Sequence, residues 1–147
     1  MALIRRLAAG LLVGAALAPA GCVPAPDPAS VPPVAGAAPA NYVQSVRASE
    51  VDLWRGMNDR GLTLDVRGPE EWNDALGHLE GAMQIPFAEL EARLGEIAAY
   101  RDRPVLVYDR DGNRAQAAAQ YLARSGYREV SWVDGGLQAY RAWMESR

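Results

Sequence analysis

A chain of 147 residues holds one domain of ordinary size with some length to spare, and hardly two. Half of its residues are hydrophobic and 22% are charged, a globular balance that excludes disorder along the whole chain. The formal charge is -3, all 15 basic residues are Arg, and one cysteine is present, so nucleic-acid binding, an internal disulfide and paired-thiolate metal or redox chemistry are not expected.

Met1 to Arg6 is a short positive segment, and Leu7 to Leu17 an apolar run too short to span hydrocarbon, which takes about 20 residues. Residues 1–21 therefore read as an export signal, with Arg5 and Arg6 supplying its N-terminal charge. Ala20-Gly21-Cys22 resembles the end of a bacterial lipobox, in which the Cys is acylated and becomes the first residue. Ala18-Pro19-Ala20 also fits ordinary signal cleavage. The lone Cys22 favours lipidation, and both readings place the domain outside the cytoplasm. Without residues 1–21 the chain carries 13 Arg against 18 acids, a net -5.

Residues 22–41 form a tether: Val23 to Ala40 contains six prolines among Ala, Val, Gly and Ser and has little to bury. Extended like polyproline II, its 18 residues reach up to roughly 55 Å. Residues 42–147 are the folded domain. Ser49 is placed to cap a helix, with Asp52 at the capping-box spacing, Val51, Trp54 and Met57 on its apolar side and Gly61 as its stop. Leu62 to Val66 is a strand, and Gly68-Pro69 signals another helix start. Ala82 to Ile85 is a short strand closed by Pro86, after which Phe87, Leu90 and Leu94 recur at helical spacing. Val105 to Tyr108 is the continuous apolar run of a buried parallel strand. Arg114 to Arg124 is helical with Gly126 as its C-terminal signal, Val130 to Val133 is the last strand, and Leu137, Tyr140 and Met144 mark a closing helix. Alternating strands and helices imply an α/β domain with a central parallel sheet of about five strands, covered by helices on both faces.

In such sheets function sits at the carboxyl ends of the strands, so the segment after Tyr108 is the place to look. It reads Asp109-Arg110-Asp111-Gly112-Asn113-Arg114. Upstream lie Asp65-Val66-Arg67, Glu70-Glu71-Trp72, Gly77-His78-Leu79-Glu80-Gly81-Ala82 and Ile85-Pro86. Downstream lie Gly126-Tyr127, Asp134-Gly135-Gly136 and Trp143. This ordered set resembles the rhodanese-like domains, whose catalytic loop is Cys, four residues, Arg, between a hydrophobic strand and a helix. The resemblance implies that Asp109 stands where the family has its sulfur-carrying cysteine. That chemistry needs a thiolate above a ring of backbone N–H groups at a helix N-terminus, where it takes up sulfane sulfur as a persulfide. Asp109 has no sulfur to carry, and its own negative charge would fill the bowl.

No residue is therefore assigned a catalytic role, and no metal or cofactor. Asp109 is read as a cap that keeps the vacated loop folded; alternatively Asp109, Asp111 and Arg110 line a pocket for a cation or a partner's side chain. Arg114 is expected to tie the loop to Asp65 or Glu71, with Arg67 in a similar structural role. The same resemblance implies an architectural role for His78, and the four tryptophans are assigned to packing. Asp109-x-Asp111-Gly112-Asn113 fails as a calcium loop, because Arg114 and Gln120 stand where Gly and an acid are required. As strand-then-Asp-x-Asp it also resembles the dehalogenase-type phosphatases, which would make Asp109 a phosphoryl acceptor, although the chain has no Lys. A second enzymatic alternative lends the loop the thiol of Cys22. The expected function is a non-catalytic binding or accessory module on the periplasmic face of a bacterial membrane, held by the lipid and facing an unidentified envelope protein.

Overall fold

The computed structural model describes residues 41–147. The predicted signal, Cys22 and all but the last residue of the tether lie outside the described residues. The sheet has five parallel strands, β1 (Tyr42–Val46), β2 (Leu62–Asp65), β3 (Met83–Gln84), β4 (Val105–Tyr108) and β5 (Glu129–Val133), in the order β1-β5-β4-β2-β3. Among the described residues four α-helices accompany them: α1 (Val51–Met57), α2 (Leu90–Arg93), α3 (Asn113–Arg124) and α4 (Gly136–Glu145). The expected single α/β domain is what forms. No helix among the described residues is long and apolar enough to cross a membrane.

β4 shows why the sheet is covered on both faces. Its residues alternate sides, and all four are buried. Val105 and Val107 join a core with Leu62, Leu64, Ile85, Ile97 and the α3 residues Ala115, Ala118, Ala119 and Leu122. Leu106 and Tyr108 face a second core of Val46, Val51, Leu79, Val133, Leu137 and Tyr140. The alanines on α3 let that helix lie close to the sheet. Placing the buried run of β4 at the centre removes its backbone from water on every side.

Several local expectations are corrected. Strand β1 is additional to the four read from the sequence; its exposed Tyr42 and Ser45 dilute the apolar signal at the sheet's edge. Ser49 does not cap α1, because it lies inside a 3-10 turn, Ala48–Glu50. There the Arg47 amide donates to the Glu50 carboxylate at 3.3 Å, while Asp52 instead accepts from the Tyr140 hydroxyl at 2.7 Å. The start signal at Gly68-Pro69 produces only a 3-10 turn, Pro69–Glu71. The helical spacing after Pro86 becomes a broken rod of a 3-10 turn, α2 and a further 3-10 segment, Leu94–Tyr100.

Candidate functional site

The loop after β2 and the loop after β4 meet because connections from these adjacent strands leave in opposite directions, β2 toward β3 and β4 toward β5. This is the switch point at which open α/β sheets form their crevices. Residues 109–114 fill it. Asp109 is fully buried; its Oδ1 accepts from the Gly112 amide at 2.6 Å and its Oδ2 from the Arg114 amide at 3.0 Å. The exposed Asp111 accepts from the Asn113 amide at 3.1 Å. Three consecutive amides at the start of α3 thus point at carboxylate oxygens, which answers part of the donor deficit of a helix N-terminus.

The opposing influences on these carboxyls are uneven. Burial pushes the Asp109 carboxyl above its ordinary range, outweighing the two amides that favour its charged form. The Asn113 amide pulls the solvent-facing Asp111 below its ordinary range.

Glu71 is the hinge between the two loops. Arg114 Nη2 donates to both of its oxygens, at 3.1 and 2.9 Å, Arg110 Nε donates at 3.2 Å, and the Gly68 amide donates at 3.1 Å. Burial opposes its charge, yet these donors win and hold Glu71 below the usual carboxylate range. Of the two partners expected for Arg114, the structure supplies Glu71 and not Asp65.

Asp65 is bound by Arg67, whose Nε lies 3.0 Å from each carboxylate oxygen and whose Nη2 lies 2.7 Å from Oδ2, with both side chains fully buried. Arg67 Nη2 also reaches the Gly77 carbonyl at 2.8 Å, and Nη1, which has no hydrogen-bond partner among the described residues, sits 3.6 Å from Asp74. Arg110 reaches Asp74 from the other side. A chain of alternating charge results: Asp65, Arg67, Asp74, Arg110, Glu71, Arg114, Asp109. Asp74 is the link that sequence reasoning missed, since no motif marks it. Arg110 is consumed by this chain and is not turned toward Asp109 and Asp111 as a three-residue pocket would require.

His78 stacks on Trp72, ring centroids 4.0 Å apart, and its Nδ1 lies 3.2 Å from the Trp72 carbonyl. All four tryptophans are half-buried. The loop is closed from the far side by Asp134-Gly135-Gly136. Leu137 donates its amide to the Asp109 carbonyl at 2.8 Å, and Gln138 donates to that of Arg110 at 3.0 Å. Gly136 has φ +61°, and a Cβ there would stand 2.5 Å from the Arg110 carbonyl group, so the close approach requires glycine.

A parallel five-stranded sheet with an amide-lined loop at its switch point, clamped to an acidic residue after the neighbouring strand, is the setting that the sequence motifs implied. The chain belongs to the rhodanese-like domain family, whose model matches residues 49–142. It is 35% identical over 85 residues to the thiosulfate sulfurtransferase GlpE of Ectopseudomonas mendocina, covering 58% of this chain and 74% of that protein. To the uncharacterized protein YqhL of Bacillus subtilis it is 36% identical over 104 residues, covering 69% and 79% respectively. Among solved structures, reduced Bacillus anthracis CoADR-RHD superposes with a TM-score of 0.61 at 33% identity, covering 71% of this chain and only 18% of that one. A rhodanese-related protein of Thermoplasma volcanium superposes with a TM-score of 0.57 at 29% identity, covering 68% and 92%.

Proposed function

We propose that this chain is a rhodanese-like module that does not transfer sulfur and that serves at the bacterial envelope as a binding or accessory domain, exported and anchored through acylated Cys22. The observation that carries the first part is Asp109. In the position where the family resemblance calls for the sulfur-carrying cysteine, a fully buried carboxyl already occupies the amides of Gly112 and Arg114. A carboxylate forms no persulfide, and its charge disfavours thiosulfate in the same cradle. The export signal and the lone Cys22 support the location.

Phosphoryl transfer by Asp109 is the enzymatic alternative. It needs an oxygen free for in-line attack, and both oxygens of Asp109 are engaged away from solvent. A thiol borrowed from Cys22 is disfavoured because acylation would consume it.

Sulfur transfer from thiosulfate to cyanide, assayed on the purified processed chain, is expected at background; turnover above background overturns the proposal. Asp109→Cys is expected to restore a thiolate to the cradle and to gain one sulfur atom, seen by mass spectrometry after treatment with a sulfane donor. A folded Asp109→Cys chain that takes up no sulfur would mean the amides no longer form an anion cradle.

A further inference from the structure

All five strands run the same way, so residues 109–114 lie at one end of the sheet and the turns leading into β1, β2, β4 and β5 lie at the other. Those turns are knitted together. Tyr42 donates its amide to the Arg128 carbonyl at 2.8 Å, Arg128 to that of Arg101 at 3.0 Å, and Leu62 to that of Pro104 at 2.9 Å. The ledge they form carries exposed Arg60, Arg101, Arg103, Arg124 and Arg128 against Asp59, Asp102 and Glu129. Its formal charge is +2, on a domain whose 13 Arg face 17 acids across residues 41–147, for a net -4. Basic charge is therefore gathered at one end of an acidic body.

The side chains are not used up locally. Arg101 lies over the Tyr127 ring at 5.8 Å and Arg103 over Tyr100 at 5.7 Å, contacts that brace the stems while leaving the charge in water. Arg128 pairs with Asp102 at 3.0 Å. No other arginine of the ledge has a carboxylate partner among the described residues. Compensation of a helix dipole accounts for Arg124, in the last turn of α3, but not for Arg60 and Arg103, which stand in the turns themselves.

We propose that this ledge is a docking surface for an anionic membrane, a second contact beside the lipid. The choice of partner rests on the envelope-anchored reading above. The chain from Cys22 joins the domain at Tyr42, within the ledge and only 20 residues from the anchor. Arginine near an anionic surface is attracted within about a Debye length, and five of them on one ledge supply an attraction of their own, apart from the lipid. The acidic remainder of the domain is repelled by the same surface, so docking turns residues 109–114 away from the lipid.

The test uses the processed chain, residues 22–147, with Cys22→Ser, so its outcome does not depend on acylation, which fractionation of cells reads separately. Sedimentation with mixed phosphatidylglycerol and phosphatidylcholine vesicles is expected at about 50 mM salt, fading by about 300 mM, and not with phosphatidylcholine alone. Adding Arg60→Gln, Arg101→Gln and Arg103→Gln is expected to weaken it at least about tenfold, and Arg47→Gln, at the opposite end, to leave it unchanged. Should the triple variant fail to fold, the pair Arg60→Gln and Arg103→Gln is expected to weaken binding in the same direction. Absence of binding to the anionic vesicles, insensitivity to the ledge substitutions, or tighter binding to a DNA duplex overturns the proposal.

Discussion

Burial opposes the charge of two carboxyls that share Arg114 in this loop cluster, yet their proton affinities move in opposite directions, and the difference lies in their donors. Glu71 is held by two guanidinium groups and an amide, and its proton affinity falls. Asp109 is held chiefly by two amides, with Arg114 Nε at 3.6 Å, and burial prevails. The consequences for stability have opposite signs. Glu71 stabilises the fold above the ordinary Glu value of 4.5, and that contribution is lost as pH falls through its lower native value. Asp109 holds its proton more tightly in the native state, so its contribution is greatest below the ordinary Asp value of 3.8 and declines as pH rises through its native value. In urea titrations from pH 7 to pH 3, Glu71→Gln is expected to cost about 1 to 3 kcal/mol at neutral pH and to flatten the acid loss. Asp109→Asn is expected instead to remove the gain on mild acidification. A Glu71→Gln chain with an unchanged acid limb would refute this assignment. That Arg114 ties the loop to Asp65 or Glu71 was legible in the sequence, though the choice between them was not; Asp74 was not legible at all, because its partners Arg67 and Arg110 come together only through the fold.

At the scale of elements, the loop after β4 is shaped as much by α4 as by its own residues. Gly136→Ala is expected to destabilise the domain by more than about 1 kcal/mol, through both its positive φ and the collision with Arg110, and to lower the thermal midpoint. Gly56→Ala, where the added methyl meets nothing within 4 Å beyond its chain neighbours and the backbone of its own helix, is the matched control and is expected to be neutral or mildly stabilising. Central elements were the legible ones: β4 announced itself as an apolar run, β2 and β5 as short strands beside it, and α3 as an alanine stripe ended by Gly126. At the edges the outcome was divided, since β3 was read from Ala82 to Ile85 and β1 was not. β1 exposes part of each face, and the segment after Pro86 satisfies a helical spacing while its backbone tightens into 3-10 turns. Hydrophobic period records which side chains are buried, and it does not distinguish an unbroken helix from a broken one.

For the whole molecule, the single α/β domain followed directly from the order of strands and helices, while its cellular address rests on residues 1–22. Cys22→Ser is expected to move the protein from the membrane fraction to the soluble periplasm, and unchanged fractionation would remove the lipid from the proposal. The parallel pairing of β1 with β5 has one further, mechanical consequence. A pull on an anchored chain enters at Tyr42 and runs along the axis of β1, so it loads the ladder from Arg128 to Asp134 lengthwise. The peptide bridges on that seam must yield together in shear, where a strand peeled from its side would release them one after another.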